Sequence, residues 1–136
     1  MINIIAGAPG SGKSTYVKDK ASKYDIVIDL DKMAESFTYN EESGHMQSAE
    51  IRSVAIAART SAVKRAIAIH HSKPDLQIWI VNADPSKEDI EAYRLLKAQI
   101  VTLNPGKDVC LQRIKGTRPD SFVQLVDAWF AKWSHQ

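Results

Sequence analysis

One short segment near the N-terminus constrains the fold more than any other part of the chain. Residues 7–14 run Gly-Ala-Pro-Gly-Ser-Gly-Lys-Ser and satisfy every fixed position of the pattern G-x-x-x-x-G-K-[ST]. The apolar run Ile2–Ala6 before it predicts a buried strand, and Lys13–Lys23 after it, without Gly or Pro, predicts a helix. A strand, a glycine-rich loop and a helix in this order can hold phosphate groups on backbone N–H groups.

The residue types inside this loop indicate a nucleoside triphosphate. Glycine lets successive N–H groups turn inward, and the start of the helix adds the positive end of its dipole. Lys13 is expected to reach the β- and γ-phosphates, and the Ser14 hydroxyl to bind Mg²⁺. We therefore predict binding of ATP with Mg²⁺, an ordinary strand-to-helix turn being the alternative. The expected contacts are Gly7, Ala8, Pro9, Gly10, Ser11, Gly12, Lys13, Ser14 and Thr15.

The rest of the chain alternates between predicted strands and helices. Three further strands are expected at Asp25–Leu30, Leu76–Val81 and Ile100–Leu103. Helices are expected at Asp31–Ser36, Gln47–His71, Pro85–Lys97, Lys107–Arg113 and Asp120–Trp133, with a polar loop at Phe37–Met46. Such alternation predicts an α/β fold in three layers, with helices on both faces of a parallel sheet.

Composition sets broad limits on the class of protein. The chain has 136 residues, 44% of them hydrophobic, which suits one domain over residues 1–136. The net charge of +2 is compatible with an anionic ligand but is not that of a surface coated by nucleic acid. The single cysteine, Cys110, fits a reducing compartment, and the start of the chain resembles no signal peptide. We expect a cytoplasmic protein without a membrane span, and the oligomeric state stays open.

Two aspartates follow the second predicted strand, in the sequence Asp29-Leu30-Asp31. Ligands of open parallel sheets bind at the carboxyl ends of the strands, where these residues lie. Asp31 is the candidate general base that accepts the proton of an attacking hydroxyl. Its alternative role is the N-cap of the next helix, which is compatible with catalysis. Asp29 is expected to be structural.

A basic segment, Arg113-Ile114-Lys115-Gly116-Thr117-Arg118, separates the last two predicted helices. Placed over the phosphates, it could close on them, exclude water and stabilise charge on the transferred group. Arg113 and Arg118 are therefore candidate catalytic residues together with Lys13. A solvated basic turn is the alternative.

The acidic residues elsewhere narrow the choice among nucleotide-binding proteins. The third strand is followed by Asn82-Ala83-Asp84, a single carboxylate where a motor protein carries an acidic pair. Asp84 could hold Mg²⁺ through water or cap the helix after Pro85. The Asn-Lys-x-Asp motif of GTP switches is absent from the sequence, and no metal-ligand spacing of zinc type involves Cys110 or the four histidines.

With these motifs the chain resembles the small, often phage-encoded P-loop kinases of the polynucleotide 5′-kinase type, within the adenylate-kinase-like group. Residues 7–15 match that family very well, Val27–Asp31 is similar to its second strand with the catalytic aspartate at Asp31, and Arg113–Arg118 is similar to its arginine-bearing lid. The resemblance implies a P-loop NTPase fold with a four-stranded parallel sheet, and ATP·Mg²⁺-dependent γ-phosphate transfer. Ala34 departs from it, since the family places an arginine there to hold the acceptor.

The acceptor is the open part of this interpretation. Arg52, Arg59, Lys64 and Arg65 on the long helix could hold an acceptor phosphate or form a solvated face, and Phe37 or Tyr39 could stack on a base. A polynucleotide 5′-hydroxyl is the favoured acceptor, and a (deoxy)nucleoside monophosphate or another small molecule is the alternative. An ATPase or nucleotide-dependent switch acting on a protein or nucleic-acid partner is the competing class, followed by a nucleotide-binding module without turnover.

Overall fold

The computed structural model describes residues 1–40 and 46–133, which contain four strands and six helices. The strands are β1 (Ile2–Gly7), β2 (Ile26–Ile28), β3 (Ile78–Val81) and β4 (Gln99–Leu103). All three pairings are parallel, and the strand order is β2-β3-β1-β4. The predicted α/β class with a parallel sheet is confirmed.

The six helices lie close to the predicted segments. They are α1 (Lys13–Lys20), α2 (Leu30–Ser36), α3 (Ala49–Ser72), α4 (Lys87–Leu95), α5 (Lys107–Ile114) and α6 (Phe122–Trp133). Helix α1 ends earlier than expected because Ala21 is extended and the Asp25 carboxylate accepts the Ser22 N–H at 2.8 Å. Helix α4 begins at Lys87 because Ser86 and Asp89 form a reciprocal capping box. A capping role for Asp84 is therefore wrong.

The start of α2 corrects a second prediction. Asp29, in the extended conformation, is the N-cap, and its Oδ1 accepts the Asp31 N–H at 3.1 Å. The helix therefore begins at Leu30, and Asp31 lies in its first turn instead of capping it. The strand before it is shorter than predicted for the same reason, since β2 ends at Ile28. The predicted loop after α2 lies partly outside the described residues, at 41–45.

The apolar side chains form two clusters. One lies on the sheet face covered by α3 and α4, where Ile2, Ile4, Ile78 and Ile80 pack with Ala66 and Tyr93. Helix α1 contacts β1 and β3, and right-handed crossovers place it on the opposite face. The second cluster joins α5 and α6 to the glycine-rich loop; its buried members are Ala8, Cys110, Ile114, Val126 and Trp129. In residues 1–40 and 46–133, no helix is long and apolar enough to cross a bilayer.

The parallel arrangement brings the carboxyl ends of all four strands to one edge of the sheet. Strand β1 leads into the glycine-rich loop, β2 into Asp29, and β3 into Asn82. The Gly7 N–H donates to the Ala83 carbonyl at 3.1 Å, which ties the loop to the exit of β3. This edge is where a ligand of such a sheet is expected.

Candidate nucleotide site

The glycine-rich loop packs closely against α5. A Cβ at Gly10 would lie 2.7 Å from the Cys110 carbonyl oxygen, and the φ of Gly10 is +80°. Both facts favour glycine, since the left-handed region is costly for other residues. Gly12 is the N-cap of α1, and because glycine has no side chain, no cap side chain accepts from the first N–H groups of that helix. A glycine-rich loop at a helix start is a candidate site for an anion.

Lys13 lies folded over this loop. Its Nζ donates to the carbonyl oxygens of Gly7 at 2.8 Å and Ala8 at 2.9 Å. Burial, with a smaller contribution from the charge of Arg118, lowers the pKa of Lys13 to about 8. The two carbonyl groups therefore hold the Lys13 ammonium group at the loop, although burial at this position disfavours its charged form. An anion there would stabilise that charge.

Two carboxylates lie beyond the loop in different environments. Asp29 is buried, and its Oδ2 accepts the Ser14 hydroxyl at 2.7 Å while Oδ1 caps α2. Asp31 is partly exposed, and its Oδ1 accepts from Arg52 Nη1 at 3.0 Å. Both carboxylates line the adjoining cavity, but Asp29 is buried and held by the fold, whereas Asp31 is the more exposed of the two. The sequence interpretation overlooked the contact between Asp29 and Ser14.

Asp84, the predicted metal residue, lies elsewhere. Its Oδ1 accepts from Lys132 Nζ at 2.7 Å and from Trp133 Nε1 at 3.0 Å. It is absent from the residues that line the cavity around Ser14. The structure therefore brings Asp29, and not Asp84, to the Ser14 hydroxyl. A metal role for Asp84 stays a prediction that this geometry disfavours, because a cation already satisfies the carboxylate. In the described part of the chain no three His, Cys, Asp or Glu side chains form a metal-binding group.

The basic segment lies at the glycine-rich loop. Arg113 Nη1 donates to the Gly10 carbonyl at 3.1 Å. Burial lowers the pKa of Arg118, and the nearby Asp31 carboxylate acts in the opposite direction. The guanidinium of Arg118 also lies over the Phe122 ring, 5.9 Å from its centroid. Lys13, Asp31, Arg113 and Arg118 are thus brought together, and their catalytic roles stay predictions.

Helix α3 contributes part of its basic face. Arg52, Ile56, Arg59 and Thr60 recur at helical spacing and line the same cavity as Asp31. Arg59 Nη2 donates to the Val81 carbonyl at 3.0 Å. Lys64 and Arg65 are exposed and do not line the cavity. The predicted basic face is therefore divided between a cavity wall and a solvated surface.

Two cavities meet at the loop and at Arg118. The first, about 470 Å³, is bounded by the loop, Asp29, Asp31, the α3 side chains, and Phe122 and Leu125 of α6. The second, about 640 Å³, is bounded by Tyr16, Asp19, Leu103, Arg113 and Thr117. Gly10, Gly12, Thr15 and Arg118 line both. Phe122 and Leu125 were not among the site residues predicted from the sequence, while Phe37 and Tyr39, which were expected to stack on a base, line neither cavity.

Comparisons with known proteins show the fold but no family. Neither a protein-family model nor a curated protein matches the chain. A solved structure, described as "Structure of the Pnkp1/Rnl/Hen1 RNA repair complex", matches 97% of this chain with a TM-score of 0.55 and 14% identity. The match spans only 45% of that other chain. The protein therefore has an α/β fold consistent with nucleotide binding, shared at low identity with a component of an RNA repair complex.

Proposed function

We propose that the chain is a P-loop kinase that transfers the γ-phosphate of ATP to a second substrate. The observation that carries this proposal is the pair of cavities that meet at the glycine-rich loop and at Arg118. A phosphotransferase must hold donor and acceptor on opposite sides of the transferred group, and two adjoining cavities provide for both. The fold supports the proposal, since a parallel α/β sheet with a loop of this pattern is typical of P-loop NTPases.

On the donor side, the loop and three cations suit the triphosphate. The N–H groups at the start of α1 and the Lys13 ammonium would bind the β- and γ-phosphates. Arg113 and Arg118 would stabilise the charge that develops on the transferred group. The base and sugar would occupy the second cavity, beside Tyr16 and Leu103.

The residues at Ser14 suit Mg²⁺. The Ser14 hydroxyl and the Asp29 carboxylate are hard oxygen ligands already 2.7 Å apart, and Mg²⁺ usually keeps several waters beside one or two such groups. We therefore infer that Ser14 and Asp29 hold the ion, directly or through water. When bound, Mg²⁺ neutralises phosphate charge and orients the phosphoryl oxygens.

On the acceptor side, Asp31 is the group suited to act as base. The acceptor hydroxyl oxygen forms a bond to the γ-phosphorus, and its proton passes to Asp31. The bond from the γ-phosphorus to the bridging oxygen breaks, and ADP leaves with that electron pair. A phosphate acceptor is already ionised at neutral pH and needs no such base, so Asp31 favours a hydroxyl acceptor.

A polynucleotide 5′-hydroxyl is the acceptor that we favour. The structural likeness to a component of an RNA repair complex hints at a nucleic-acid-related role, and the first cavity offers arginines beside apolar side chains. A (deoxy)nucleoside monophosphate or other small molecule is the alternative. The competing class, an ATPase or switch, needs no acceptor cavity lined by a carboxylate and arginines like the first cavity, which is why we rank it lower.

Transfer of γ-labelled phosphate from ATP with Mg²⁺ tests the proposal. The acceptors are 5′-hydroxyl DNA and RNA oligonucleotides, nucleosides, nucleoside monophosphates and water. We expect label on a 5′-hydroxyl and its loss in Asp31→Asn. Label found only as free phosphate would overturn the kinase and favour a hydrolase or switch.

A further inference from the structure

The second cavity carries opposite charges at its two ends. Arg113 and Arg118 line it beside the glycine-rich loop, where Arg113 Nη1 donates to the Gly10 carbonyl. Asp19 lines it from α1, and it is the one carboxylate among the described residues of that cavity wall. Across the residues that the structure describes, Asp19 forms no ion pair and its carboxylate accepts no hydrogen bond. The carboxylate is therefore available to a ligand in the cavity.

The distance between the two ends suits a nucleotide. Asp19 is seven residues after Gly12, the N-cap of α1, which is about 10 Å along a helix. When the phosphates lie at the loop, the ribose and the base extend over that distance. A carboxylate at the far end repels a phosphate but not a neutral base. The edge of the base that points away from the sugar is therefore the part of the ligand that reaches Asp19.

Side chains along the cavity supply surface for a purine ring. Tyr16 precedes Asp19 by three residues, so the two share a face of α1, and both line the cavity. Leu103, the last residue of β4, lines it as well. An aromatic ring and an apolar side chain give the faces of a base something to pack on, and a carboxylate can read its edge.

Resting on the proposed function, which places the donor base in this cavity, we propose that Asp19 reads the base and favours GTP over ATP as the donor. Guanine presents two adjacent donors, N1–H and the N2 amino group, and one carboxylate accepts from both. Adenine presents one donor, its N6 amino group, beside the lone pair of N1, which faces the second carboxylate oxygen without a hydrogen between them. ATP still binds through its phosphates, and the transfer step is the same for either triphosphate.

Binding of nucleoside diphosphates tests this preference without phosphoryl transfer. GDP, ADP and xanthosine 5′-diphosphate (XDP) carry the same phosphates and differ in the base, and calorimetric titration with Mg²⁺ gives the Kd of each. We expect the wild type to bind GDP at least about tenfold more tightly than ADP, the factor of one hydrogen bond to a charged group. Asp75→Asn is the matched control, since Asp75 is exposed and lines neither cavity. It removes the same charge and should keep the preference.

Two variants of Asp19 separate base reading from other roles. Asp19→Asn keeps the size of the side chain and turns one acceptor into a donor, which matches the N1–H and the O2 of xanthine. This variant should bind XDP at least about tenfold more tightly than the wild type does, and GDP less tightly. Asp19→Ala should bind GDP and ADP within about threefold of each other. A contact of Asp19 with the ribose would instead weaken GDP and ADP equally and leave XDP without a gain, which would overturn base reading.

The base preference and the kinase fail on different results. A wild type that binds GDP and ADP equally overturns the preference, while transfer of label from ATP still supports the kinase. A wild type that prefers GDP but labels no acceptor from either triphosphate overturns the kinase and leaves the preference for guanine standing. A wild type that binds none of the nucleotides overturns both.

Discussion

The Ser14 hydroxyl donates a 2.7 Å hydrogen bond to the buried carboxylate of Asp29. This contact joins the start of α1 to the end of β2, two segments that a nucleotide phosphate would bridge. Asp29 also caps α2 through its other oxygen. A single carboxylate therefore links the stability of the fold to the site where we place Mg²⁺.

Asp29→Asn separates these two roles. The amide can still cap α2 through its oxygen, so the free energy of unfolding should fall by no more than about 1 kcal/mol. The loss of the negative charge at Ser14 should raise the Mg²⁺ concentration for half-maximal ATP binding about tenfold. Calorimetric titration of ATP at several Mg²⁺ concentrations measures this shift. Asp84→Asn is the matched control. If only that variant raised the Mg²⁺ concentration for half-maximal ATP binding, Asp84 and not Asp29 would be the metal ligand.

Asp31→Asn tests the base. The amide keeps the size of the side chain but cannot take up a proton, so the rate of transfer should fall about 10²- to 10⁴-fold. Binding of ATP should change less than about threefold, because Asp31 faces the cavity opposite the donor. Single-turnover kinetics and equilibrium ATP binding measure the two effects. Full transfer activity would show that Asp31 is not the base.

The order of strands and helices was predictable because each carries a local signal. Ile2–Ala6 contains three β-branched isoleucines, and the loop after it has three glycines and the Lys-Ser pair. The end of β2 was less predictable, because two neighbouring aspartates could each act as the N-cap of the helix that follows. Asp29 and Asp31 both suit an N-cap, and only the path of β2 toward Ser14 selects Asp29.

The candidate site depended more on tertiary contacts. Asp84 had the sequence position of a metal ligand, but α6 returns to the sheet and supplies Lys132 and Trp133 to that carboxylate. The division of the α3 cations, with Arg59 in the cavity wall and Arg65 in solvent, follows from how α3 packs on the sheet. Periodicity shows which residues share a face, but not what that face contacts.

The anchoring of α6 yields a stability prediction. Trp129 is buried, and its Nε1 donates to the Ala83 carbonyl at 2.9 Å, beside the glycine-rich loop. Trp129→Phe removes this hydrogen bond and part of the packing in the second cluster, at a cost of about 2–3 kcal/mol. Asp84→Asn disrupts only a half-exposed network and should cost less than about 1 kcal/mol. Urea unfolding at equilibrium measures both, and equal costs would contradict the role of Trp129 as the anchor.

The low pKa of Lys13 predicts that ATP binding depends on pH. Burial, aided by Arg118, places this pKa at about 8, so the ammonium is charged below pH 8 and loses its proton above it. Phosphate stabilises the charged form, so ATP raises the pKa, and binding above pH 8 must take up a proton. Affinity should therefore be constant below pH 8 and fall by up to about tenfold per pH unit above it.

Calorimetry in buffers with different ionisation enthalpies measures this proton uptake directly. The terminal phosphate of ATP, with a second pKa of about 6, is already ionised above pH 8, so its titration does not cause the fall in affinity. In Lys13→Arg the side chain keeps its charge to well above pH 10. This variant should therefore show neither the fall in ATP affinity above pH 8 nor the proton uptake on binding, whatever its affinity for ATP at lower pH. Lys13→Ala should weaken binding and turnover together, by several kcal/mol or so in transition-state terms. A wild-type affinity that stays constant to about pH 9.5 would show that Lys13 does not carry the charge that holds the phosphates.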